Sequence, residues 1–136
     1  MKKQHYALFR ILTSIIFLYA GAGHLLNAEK ILSKLSSTQS YAVLPDKSIF
    51  LLMIYISGIV MVAAGLMLAA GWKERKAALA LLMVLVPITI SVQLDNLKDL
   101  GPFFKNIAIA GSLLFIINYK QNENENTVII HSSAAN

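Results

Sequence analysis

The sequence predicts an all-α integral membrane protein: an antiparallel four-helix bundle with an interfacial segment between its first and second helices. Three observations carry that expectation. Of the 136 residues, 57% are hydrophobic and only 14% charged, with mean hydropathy +0.63, too apolar for an ordinary soluble domain. Four stretches reach or approach the roughly 20 apolar residues needed to cross about 30 Å of hydrocarbon. The links after the second and third stretches are short, which favours antiparallel neighbours. One domain is expected over residues 1–119, followed by a polar tail at 120–136.

The first stretch, residues 6–26, holds FLYAGAGHLL and admits two readings. After Lys2, Lys3 and the apolar run 11–19, Ala20-Gly21-Ala22 matches the small-residue cleavage site of a secretory signal. Alternatively the segment is a retained span that carries His24. Retention is expected, because Arg10, Ser14, Phe17, Gly21 and His24 recur at spacings of four, three, four and three and so share one helix face. Polar and small groups gathered on one face fit packing into a bundle better than contact with lipid. Arg10 and His24 lie about 21 Å apart along such a helix and cannot touch.

Residues 27–48 form a long connection in which AEKILSKL alternates charge with Ile31, Leu32 and Leu35, the pattern of a helix lying in the membrane interface. Tyr41 to Leu44 adds a small apolar cluster before Pro45. The second stretch, 49–71, has no charged residue and ends at Trp72, an aromatic suited to the interface. The third, 77–94, contains Pro87, a kink that neighbouring groups must satisfy. The fourth, 103–119, has Lys105 near its start, where the side chain can snorkel. Gly58, Gly65, Ala108 and Ser112 are small enough to admit close helix approach. From Lys120 the run QNENENT is too polar and repetitive to bury a core, so a disordered tail is expected.

The net charge of +5 would suggest nucleic-acid binding in a soluble protein, but here the basic residues flank apolar stretches and read as topology signals. An even number of spans groups Lys2, Lys3, Lys73, Arg75, Lys76 and Lys120 on one side, and the positive-inside rule places both termini in the cytoplasm. His24, Asn27, Glu29, Gln93, Asp95, Asn96, Lys105 and Asn106 then fall at the outer helix ends. Such polar groups pair or line an outward-opening cavity, or they cap helices at the water interface. The expected ligand or pocket residues are Arg10, His24, Gln93, Asp95, Lys105 and Asn106, with an ion pair between Lys105 and Asp95 or Asp99.

The absence of cysteine excludes disulfides, thiolate zinc and iron-sulfur ligation within this chain. No metal site is expected, and one intramembrane histidine is not a haem motif. A redox role therefore needs a bound cofactor or a partner.

Arg10, FLYAGAGHLL with its Gly-xx-His, and FFKNIAIAGSLL at 103–114 together resemble the DoxX-like family of small four-helix membrane proteins. The resemblance spans residues 7–119; relatives often carry Lys where this chain has His24. It supplies a further reason to expect retention of the first helix. The family takes its name from the small subunit of a thiosulfate:quinone oxidoreductase, and distant relatives assist the assembly of other membrane proteins. Together with the polar cluster at the outer helix ends, the resemblance leads to the expectation of an accessory or partner-binding subunit of a quinone-linked membrane redox system, while the lack of cysteine, metal-cluster and nucleotide motifs weighs against an autonomous oxidoreductase. Its ligand would be a non-covalently bound quinone or lipid, and its partners the bilayer and a membrane protein or a second copy of the chain. An assembly factor, a lipophilic-ligand binder and a transporter with no redox role are the alternatives.

Overall fold

The structure, a computed structural model, describes residues 3–36, 46–93 and 100–134. Among these residues the chain is entirely helical: α1 (Lys3–Leu26), α2 (Ala28–Leu35), α3 (Lys47–Ala70), α4 (Glu74–Gln93) and α5 (Gly101–Ala134). Among the described residues three segments are long and apolar enough to cross a membrane, namely α1, α3 and the part of α5 at Gly101–Lys120. The helix α4 is 20 residues long and opens with Glu74, Arg75 and Lys76 ahead of an apolar run.

Helix α1 runs unbroken through Ala20-Gly21-Ala22 and buries Tyr6, Thr13, Ser14, Phe17 and Gly21. The face expected from the spacing is therefore the one that packs inward. Its opposite side leaves Leu8, Leu12, Ile15 and Tyr19 exposed, an apolar surface suited to lipid. At Asn27 the chain bends, with Asn27 N–H still donating to Gly23 O at 2.9 Å and Ile31 N–H to Asn27 O at 3.0 Å. The amphipathic α2 then turns Ala28 and Leu32 onto Ile54 of α3 while Glu29, Lys30 and Lys34 stay exposed.

Helix α3 starts where the Asp46 side chain accepts from Ser48 N–H at 2.9 Å, satisfying one of the donors a helix start leaves open. It stops at Gly71, whose φ of 80° is readily available only to glycine. Gly71 N–H donates to Leu68 O at 3.2 Å and Trp72 N–H to Met67 O at 2.9 Å, closing the last turn. Lys73, at φ 47°, completes the reversal into α4. Pro87 stands inside α4, and α5 begins with Gly101 and Pro102, where a missing N–H costs nothing.

Successive long helices alternate in direction. α1 packs along α3 and α4 along α5; α3 joins α4, and α1 meets α5 at one end. The α1–α3 seam is the tightest. A Cβ at Gly21 would lie 2.9 Å from Val62 Cγ2 and 3.0 Å from Gly58 O, and one at Gly65 3.0 Å from Leu18 Cδ2. Gly58 and Gly65 thus allow the close approach their size suggests. The fourth apolar stretch differs: Ala108 is exposed and a Cβ at Gly111 would meet nothing within 4 Å. The core between the pairs is hydrocarbon, with Phe17, Leu68, Leu81, Leu113 and Ile116 almost wholly buried.

The backbone of α5 continues as helix past Lys120 to Ala134, across the stretch whose composition suggests a disordered tail. Extending an existing helix avoids the nucleation cost that an isolated segment of this composition meets. The apolar cluster at 41–44 and the outer loop residues Asp95, Asn96 and Asp99 lie outside the described residues.

Candidate functional site

Among the described residues a polar site stands at each end of α1. At its C-terminal end His24 is half-buried, and its Nδ1 lies 2.8 Å from Ser57 Oγ of α3. The Ser57 hydroxyl donates to Ile54 O at 2.8 Å, so its oxygen is left to accept from a protonated Nδ1. That pairing favours the tautomer in which Nε2 is an acceptor.

His24 and Ser57 line a partly open cavity of about 580 Å³ between α3 and α4, roofed by Ile31 and Lys34 of α2. Phe50, Ile54, Met83 and Pro87 contribute to walls that are otherwise hydrocarbon. Pro87 matters locally, because it removes the N–H that would otherwise bond to the carbonyl four residues earlier, in the same cavity wall.

Neither Asn106 nor Lys105 lines the His24 cavity. Asn106 of α5 instead donates from Nδ2 to Thr89 Oγ1 of α4 at 3.0 Å, and Thr89 Oγ1 donates to Leu85 O at 2.7 Å. Lys105 is exposed. Asp95 and the Gln93 side chain lie outside the described residues, as does any pairing of Lys105 with Asp95 or Asp99.

Arg10 belongs to the opposite end. It pairs with Glu74 Oε1 and donates from Nη2 to Ala69 O at 3.2 Å. The Tyr6 hydroxyl donates to Glu74 Oε2 at 2.7 Å, and Lys120 Nζ lies 3.4 Å from the same oxygen. Glu74 is only 6% exposed, and both of its carboxylate oxygens meet cations or a hydroxyl, the partners a buried carboxylate requires. Tyr6 also stacks on Tyr119 at 4.5 Å between centroids, and Lys120 Nζ sits 5.5 Å from the Tyr6 ring centre. Four elements are tied here: α1, the end of α3, the start of α4, and α5.

Beside this network lies a second cavity of about 390 Å³, lined by Gly71, Lys73, Glu74, Arg75, Lys76 and Lys120. Lys73 Nζ also lies 4.8 Å from the Trp72 ring centre. Among the described residues no cluster of His, Asp and Glu could hold a metal ion.

Sequence reasoning missed Glu74, Tyr6 and Ser57. Each left a trace: Glu74 is the one acid in the WKERK loop, Tyr6 falls four residues before Arg10 on the same face, and Ser57 precedes Gly58 within an apolar run. None of these traces names its partner, which lies 33 to 68 residues away.

A model of the DoxX family matches residues 5–94. The chain belongs to the DoxX family. The matched part of this DoxX protein holds α1 to α4, and with them His24, Ser57, Arg10 and Glu74. The FFKNIAIAGSLL stretch of α5 falls beyond it. No curated protein and no solved structure matches the chain significantly.

Proposed function

We propose that this DoxX-family protein is a multi-pass membrane subunit that holds a lipophilic molecule, a quinone or a lipid, and serves as an accessory to a quinone-linked redox partner. In this reading α1, α3, α4 and α5 all cross the bilayer as a four-helix bundle. The helix α2 lies at the outer interface, and both termini face the cytoplasm. What supports the reading is one arrangement: a hydrocarbon-lined cavity of about 580 Å³ that carries the His24–Ser57 pair in its wall. Binding sites for small lipophilic ligands combine apolar walls with a few placed polar groups. An imidazole acceptor at the wall suits a donor head, the hydroxyl of a quinol or of a lipid, on an amphiphile whose tail runs between α3 and α4.

Asn106, with Thr89, has a packing role in this proposal, and Arg10 belongs to the cytoplasmic network. The remaining site candidates, Gln93, Asp95 and Lys105, stand as residues of the outer rim. The chain carries no redox centre of its own in this account; electrons come from the partner.

The test is extraction. Protein purified from its own membranes in mild detergent yields a stoichiometric quinone or lipid, and His24→Ala with Ser57→Ala reduces that yield about tenfold, the usual weight of one ligand hydrogen bond to a buried partner. Equal amounts extracted from wild type and variant, or none from either, refute the binding role. Co-purification of a redox enzyme supports the accessory role, whereas a folding client supports the alternative of an assembly factor.

A further inference from the structure

The second cavity, at the opposite end of the molecule, has a different chemistry from the first. Lys73, Arg75, Lys76 and Lys120 bring four cations to its lining against the single carboxylate of Glu74, a surplus of three positive charges. That carboxylate is shared by Arg10, Lys120 and the Tyr6 hydroxyl, so a single negative charge faces all the cations gathered at this end. The turn that builds the basin is constrained: Gly71 at φ 80° and Lys73 at φ 47° reverse the chain within a few residues. Lys73 and Lys120 each lie close to an aromatic ring.

The basin also sits at a particular depth. Gly71 directly follows α3 and Lys120 is the last residue of the apolar segment of α5. The basin therefore sits at the level where two candidate spans end, beside the exposed Trp72. That is the level of lipid headgroups, and indole rings favour it. The first turn of α4 adds its own partial positive charge at the same place.

We propose that this basin binds the phosphate of an anionic lipid headgroup. Basic pockets between membrane helices select such headgroups because clustered cations at the interface act on the phosphate at short range, where solvent screens them less. The site is separate from the His24 cavity and does not depend on which leaflet the basin faces.

Native mass spectrometry of the full chain, loaded with phosphatidylglycerol or phosphatidylcholine, tests the proposal. Wild-type protein retains phosphatidylglycerol over phosphatidylcholine by at least about tenfold, as expected for several cations acting together. Lys73→Gln, Arg75→Gln and Lys76→Gln combined abolish that preference. The charge-conserving set Lys73→Arg, Arg75→Lys and Lys76→Arg keeps it, as does Lys30→Gln with Lys47→Gln at the other end of the molecule. Millimolar inorganic phosphate leaves the lipid bound. Equal retention of the two lipids by wild type overturns the proposal, as does an undiminished preference in the charge-removed variant. Displacement by inorganic phosphate overturns the assignment to a lipid. Should the charge-removed variant fail to fold, the wild-type ratio and the charge-conserving variant still decide the matter.

Discussion

Glu74 is the residue whose role is hardest to foresee and most consequential. Its carboxylate holds Arg10 of α1, the Tyr6 hydroxyl and Lys120 of α5 around a nearly buried oxygen pair. Removing one partner of such a pair leaves the other charge uncompensated, which destabilises by about 3 kcal/mol or more. Glu74→Leu is therefore expected to lower Tm in detergent by several degrees, read by intrinsic fluorescence or scattering. Arg10→Leu should do the same, and the double variant should lose less than the two single losses combined, since the buried charges vanish together. Arg10 Nε, buried without a hydrogen-bond partner among the described residues, shows that the network is not fully satisfied even so. At the sequence level Glu74 looks like one charge among five residues of a basic loop. Only the fold distinguishes it, by swinging the start of α4 inward against α1.

Among the helices, the closing turn of α3 links local geometry to that network. Gly71 adopts a left-handed φ, and its Cα lies against the Arg10 guanidinium, where a side chain would collide. Gly71→Ala combines a conformational cost of about 1–2 kcal/mol with displacement of Arg10. The expected result is a loss of stability larger than that of Gly111→Ala in α5, where a methyl group meets open space; parallel thermal melts of the two variants measure the difference. Helix positions and the inward face of α1 were legible because apolar periodicity and length report them directly. Helix partners were less so. The small residues of α3 do line a close seam with α1, whereas Ala108 of α5, equally small, faces outward. Size permits close approach without specifying which surface is approached.

For the whole molecule, alternation of the long helices gathers Lys3, the α3–α4 turn and Lys120 at one end and α2 at the other. The chain is free of cysteine, so single introduced cysteines report sidedness cleanly. With both termini cytoplasmic, Lys3→Cys in intact cells should resist an impermeant maleimide and Ser36→Cys should react; the reverse pattern sinks the proposed orientation. Intact mass of the membrane-extracted protein should include residues 1–22, whereas a chain starting at Gly23 would mean that the first helix is removed. Hydropathy, span length and the charge at helix ends determined by themselves that this is a helical membrane-type chain, because the cost of burying polar backbone and charge in hydrocarbon is a property of composition and length. Tertiary structure decided which polar residues meet. Arg10 and His24, on one face of one helix, were sent to two unrelated sites, since each contact joins residues from distant parts of the chain and depends on how antiparallel neighbours align. For FLYAGAGHLL this alignment has a specific outcome: Gly21 is the contact point against α3, and His24 is a wall of the cavity.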